Sequence, residues 1–109
     1  MKTLFDCETE VAKCDCGRIR HRPFNCCESD NAAVRVHTIA SLTPRGVLKI
    51  EQDCYLDNGG ELPEQSRVPR QIIWEAAPET EVAIRGLAKS LHEQFVAEAR
   101  KRLPPEFLV

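Results

Sequence analysis

The 109-residue chain is long enough for one hydrophobic core and too short for two, which excludes a multidomain enzyme. Hydrophobic residues make up 42% and charged residues 29%, the balance of a folding chain rather than a disordered one. With 15 Lys and Arg against 17 Asp and Glu the net charge is -2, so no overall basic field exists to drive nonspecific nucleic-acid binding.

Residues 1–31 are rich in Cys, Asp and Glu and short of large aliphatics, with Leu4, Phe5, Val11, Ile19 and Phe24 as the main apolar anchors. Such a segment cannot make its own core and needs either docking onto the rest of the domain or an internal staple. Asp6, Glu8 and Glu10 break the apolar run that a signal peptide requires, and no stretch approaches the length that spans a bilayer. A cytoplasmic protein without membrane attachment is the expectation, and in that compartment thiols stay reduced.

From Val34 the pattern alternates. Val34, Val36, Thr38, Ala40 and Leu42 fall on one face, and Arg35, His37, Ile39 and Ser41 on the other, the signature of a half-buried strand. Thr43-Pro44-Arg45-Gly46 supplies a turn, with Pro44 suited to its second position and Gly46 to its fourth. The chain returns over residues 47–56 with Leu48, Ile50, Cys54 and Leu56 opposite Lys49, Glu51 and Asp53, completing a hairpin. Asp57-Asn58-Gly59-Gly60 stops that strand. After a polar loop, Val68, Ile72, Ile73 and Trp74 predict a third strand, with Pro69 arguing for an edge position or an irregular start. Trp74 reads as a core or interface anchor.

At the C-terminal end, Ile84, Leu87, Ala88, Leu91, Phe95 and Ala99 recur at three- and four-residue steps and predict a helix over about residues 80–102. Pro78 fits its first turn. Arg100, Lys101 and Arg102 complement the negative end of its dipole, and Pro104-Pro105 terminates it. Glu81 with Arg85 and Glu98 with Arg102 add four-residue ion pairs, while Gly86 costs the helix interior about 1 kcal/mol relative to Ala. A helix of this length, roughly 34 Å, is longer than the sheet it covers, leaving its far end and the apolar tail of residues 106–109 for a partner.

Chemistry concentrates in the cysteines, five of the six lying between residues 7 and 27. Thiolates bind zinc tightly, and four ligands close a structural site. The expected set is Cys7, Cys14, Cys16 and Cys26, with His21 or Cys27 as alternates, because adjacent residues rarely both reach one metal. Zinc is preferred to an iron–sulfur cluster because ferredoxin-type spacings are missing. Idle thiols or a redox role are the alternatives, and Cys54, on the apolar face of the hairpin, reads as a core thiol. Among the cysteines, Arg18, Arg20 and Arg22 form a basic tip able to contact a protein or a phosphate. His37 and His92 read as surface or boundary residues; a Cys–His nucleophilic pair through His37 would need proximity in the fold. No nucleophile elbow, phosphate-binding loop or His-Glu-x-x-His motif is present, so no enzyme is expected.

The expected architecture is α+β in a single domain. Residues 1–31 form the Cys-rich, metal-pinned segment, 33–74 a two- or three-stranded antiparallel sheet, and 78–103 a long helix across one face. The leading functional expectation is a zinc-stabilised protein-interaction module, an adaptor or an inhibitor of a larger assembly; a small phage-type inhibitor of a host machine fits that description. A nucleic-acid-binding zinc module using the arginine tip and a thiol redox protein are the alternatives.

Overall fold

The alternation of apolar residues builds a four-stranded antiparallel meander in the order β1-β2-β3-β4. Its strands are β1 (Lys2–Lys13), β2 (Ala33–Leu42), β3 (Val47–Leu56) and β4 (Gln71–Ala76), followed by helix α1 (Glu81–Arg102). The computed structural model describes residues 1–13, 33–57, 62, 64–76 and 80–103. The fold class is therefore α+β, a sheet with one C-terminal helix packed on one face.

Strands β2 and β3 pair from Leu42↔Leu48 to Val34↔Leu56, which puts Val34, Val36, Thr38, Ala40 and Leu42 beside Leu56, Cys54, Gln52, Ile50 and Leu48. In the connecting turn the Gly46 N–H donates to the Thr43 carbonyl at 2.9 Å, and the Val47 N–H donates to the Thr43 hydroxyl at 3.1 Å. Gly46 takes φ +82°, a left-handed conformation that disfavours a side chain.

The sheet has one strand more than the sequence predicts, and that strand is β1. Phe5, Cys7 and Thr9 pair with Ala40, Thr38 and Val36 on the helix side, while Asp6, Glu8 and Glu10 face away. Two small or polar residues on the inner face and register shifts at Thr3/Phe5 and Glu10/Ala12 break the simple period. Leu4, Val11 and Ala12 are nevertheless buried at the two ends of the strand.

Thr80 is the N-cap of α1, its hydroxyl accepting from the Ala83 N–H at 3.1 Å. Pro78 therefore precedes the helix instead of occupying its first turn. Both expected ion pairs form, Glu81–Arg85 at 3.6 Å and Glu98–Arg102 at 2.9 Å. The helix is docked along its whole length, from Ile84 through Ala99 to Leu103, all buried. Arg102 Nη1 donates to the Arg67 carbonyl at 2.6 Å, so the far end of the helix is tied down and not left free.

Two apolar clusters result. Leu4, Ala40, Leu48, Ile50, Ile84 and Ala88 fill one end, and Val11, Val34, Val36, Leu56, Phe95 and Ala99 are among those that fill the other. Between them the register aligns Cys7, Thr38, Gln52 and Gln71, a polar row across all four strands.

Candidate interaction surface

Of the side chains expected to hold metal, Cys7 lies within the described residues, near the middle of β1 on the helix side and half-buried. Cys14, Cys16, Cys26, the alternates His21 and Cys27, and Arg18, Arg20 and Arg22 lie outside the described residues. The pairing Lys13↔Ala33 brings the two ends of the intervening segment side by side at one end of the sheet. Cys7 is six residues from Lys13 along an extended strand, about 20 Å at the usual rise. Among the described residues, no group of three His, Cys, Asp or Glu side chains is placed to hold a metal.

The polar row lies under the middle of α1, where His92 closes it from above. His92 is 5% exposed, which corrects its assignment as a surface or boundary residue. Its Nε2 lies 2.8 Å from the Thr9 hydroxyl and its Nδ1 2.7 Å from that of Thr38. Gln52 Nε2 donates to the Thr38 hydroxyl at 3.3 Å and to the Leu91 carbonyl at 3.0 Å. His92, Thr38 and Gln52 thus satisfy one another in the buried middle of the sheet, as a low-dielectric interior demands, whereas the buried Ser66 hydroxyl has no partner among the described residues. Burial holds the His92 imidazole below its ordinary range, the charge of His37 adds to this, and Glu93 opposes it. A cleft of about 280 Å³ beside Thr9, His92 and Arg100 opens at the β1 end of this seam, and one of about 120 Å³ beside Gln52, Gln71 and Glu98 at the other.

With both ring nitrogens of His92 held by threonine hydroxyls, no hydrogen bond among the described residues makes it a base for Cys7. Nor can His37 serve Cys7 or Cys54, since it projects from the opposite face of the sheet and pairs with Asp6. Cys54 packs against the apolar cluster, and burial, with a smaller contribution from Asp53, pushes its thiol up to about 11. It is a half-buried thiol at the margin of the core, not a member of it. Cys7 and Cys54 sit on strands separated by β2, about 10 Å apart, beyond the reach of a disulfide.

The face of the sheet away from α1 is polar at one side and apolar at the other. On the β1 side, Arg35 meets Glu8 at 3.3 Å, Glu10 at 3.6 Å and Asp57 at 3.2 Å. Tyr55 donates to Glu8 at 2.7 Å, and this bond, aided by burial, raises its phenol to about 12. Asp57 also accepts from the Ala33 N–H at 2.9 Å, fixing the start of β2. Toward β4 the character changes. Lys49 lies 5.3 Å from the Trp74 ring centroid and 3.0 Å from Glu51, which Arg70 approaches at 3.4 Å.

Trp74 is 59% exposed and Ile72 48%, so Trp74 is not a core residue. Both project from β4 on the uncovered face, in rows with Lys49 and Glu51. The described residues give β4 one neighbour, β3, leaving its outer edge unpaired. The alternation Ile72-Ile73-Trp74 cannot reveal this, because three successive apolar residues assign no face to any of them. The signal available in sequence was Pro69, which confines the strand to an edge.

Comparison of the chain with protein-family models, with curated proteins and with solved structures returns no match.

Proposed function

We propose that this protein is a small interaction module, an adaptor or inhibitor that contacts a protein partner through the uncovered sheet face at β4. The observation that carries this reading is the exposure of Trp74 and Ile72 side by side on an edge strand. Exposed aromatic and aliphatic side chains on a rigid strand, rimmed by Lys49, Glu51 and Arg70, have the composition of an interface centre with a polar rim. A photoreactive benzoylphenylalanine at position 74 should trap a discrete heavier adduct in cells, and the same group at the exposed helix position Val82 should not. Absence of a discrete adduct at position 74, or equal trapping from both positions, overturns the reading.

We further propose that zinc pins the segment between β1 and β2. The clustering of Cys14, Cys16, Cys26 and Cys27 in a segment whose two ends are paired supports it, since a single ion can cross-link so long a connection. The place of Cys7 well inside β1 supports drawing the fourth ligand from His21 or Cys27. Carboxylates of Asp6, Glu8, Glu10 and Asp57 line the open face and repel phosphate. A nucleic-acid reading rests on Arg18, Arg20 and Arg22.

A further inference from the structure

The two outer strands of the sheet differ in how they guard their edges. Strand β1 carries Asp6, Glu8 and Glu10 on the open face and two register shifts, devices that discourage another strand from adding. Strand β4 pairs with β3 in unbroken register from Gln71↔Gln52 to Ala76↔Val47 and carries one charged residue, Glu75, against the three acidic residues of β1. Among the described residues its outer edge is regular and unpaired, with Ile72, Ile73 and Trp74 at its centre. An edge of this kind is a template for a further strand.

The geometry points to a second copy of this chain as that strand, joined β4 to β4 about a two-fold axis to form one continuous eight-stranded sheet. This rests on the interaction reading of β4 given above and names its occupant. In an antiparallel pair, opposed residues share a face, so a two-fold axis centred on Ile73 sets Ile72 of each copy opposite Trp74 of the other on the open face. Ile73 then meets its own counterpart on the helix side. The strand is thus complementary to itself, as a symmetric dimer interface requires.

Charge favours the same arrangement. The open face next to β4 carries Lys49 and Arg70 against Glu51, so two copies meet without a block of like charge. The acidic residues of β1 end at the two outer margins of the joined sheet, seven strand spacings or about 33 Å apart, well beyond the screening length of physiological salt. Edge pairing consumes backbone groups and leaves the face open. Two Ile72 and two Trp74 side chains then form one patch for a further partner.

Sedimentation of the full chain under reducing conditions should give about twice its 12.3 kDa mass. Trp74→Lys and, separately, Ile72→Lys should each return the monomer mass with unchanged helical circular dichroism, while Val82→Lys keeps the doubled mass. Hydrogen exchange of the β4 amides should accelerate in the Trp74→Lys monomer. A monomeric wild-type chain, or a dimer that survives both β4 substitutions, overturns the proposal. If the wild type is monomeric yet position 74 still traps a different protein, the second-copy occupant falls and the interaction surface stands. If position 74 traps nothing as well, both fall.

Discussion

The Nδ1 atom of His92 lies 2.7 Å from the hydroxyl of Thr38, tying the middle of the helix to the second strand. This contact sits between two apolar clusters, so the helix is held at its ends by burial and at its centre by hydrogen bonds. Apolar packing tolerates sliding, whereas a polar contact has one good geometry, which makes the pair a device for fixing helix position. His92→Leu should cost about 2 kcal/mol in urea unfolding, because the half-buried Thr9 hydroxyl loses its histidine partner and the buried Thr38 hydroxyl keeps only Gln52. Adding Thr38→Val should recover part of that loss, since it removes the buried hydroxyl left short of a partner while Gln52 keeps the Leu91 carbonyl. Simple additivity of the two losses would show that the pair does not act as a unit.

Burial of the same imidazole makes stability depend on pH. His92 is held below its ordinary 6.5, chiefly by burial. The unfolded chain therefore takes up a proton at a higher pH than the folded one. Stability is fully present above pH 6.5 and falls as the pH drops from there toward the lowered value of the folded state. Urea midpoints measured through this window should decline for the wild type, and the decline should be smaller in His92→Leu. An identical slope in the two proteins would assign the effect to other groups.

The elements whose pattern is long and uniform were legible in the residues: the β2–β3 hairpin with both its faces and the helix with its two ion pairs; the edge position of β4 was legible only through Pro69. Strand β1 was not. Cys7 and Thr9 occupy inward positions where a strand pattern expects large apolar side chains, and the bulges displace Leu4 and Val11 from the period. The same residues explain why His92 misled. A histidine beside an apolar stripe looks like a boundary residue until the register reveals that Thr9, Thr38 and Gln52 wait beneath it. The interaction surface was half legible, since Trp74 suggested an anchor but its face depends on a register that three consecutive apolar residues leave open.

Two substitutions in α1 should act in opposite directions. At Gly86 an added Cβ meets nothing within 4 Å, so Gly86→Ala fits without strain and should stabilise the protein by about 1 kcal/mol. Thr80→Ala removes the hydroxyl that accepts from the Ala83 N–H and should destabilise by a similar amount, about 1 kcal/mol. Thermal midpoints rising for the first and falling for the second are the expected result. No gain from Gly86→Ala would mean that helix propensity does not limit stability here.

Cys54 should be the slow thiol. Its rise from an ordinary 9.0 to about 11 leaves far less thiolate near neutral pH, and the thiolate is the form that reacts. Alkylation by iodoacetamide, followed by peptide mass spectrometry, should run about 10-fold slower at Cys54 in the folded protein than in urea, the smaller thiolate fraction being partly offset by the greater nucleophilicity of a more basic thiolate. Comparable rates in the two states would place this side chain in water rather than against Val36 and Leu56.

If zinc pins the segment between β1 and β2 as proposed, its removal should affect that segment and not the body of the fold. Strand β1 is held by pairing to β2 and by buried Leu4, Val11 and Ala12, none of which depends on a metal. Elemental analysis should find one zinc per chain, lost on chelation. The stripped protein should keep its helical circular dichroism, because α1 packs on a sheet that remains closed. Trypsin should then cut after Arg18 and Arg20 but spare Arg22, whose next residue is Pro23. Restoring zinc should suppress both cuts, and Cys14→Ser should remain cleavable with zinc present, since three ligands bind structural zinc poorly. A metal-free preparation equally resistant to trypsin would remove zinc from the account, and loss of the helix on chelation would show that the metal supports the core itself.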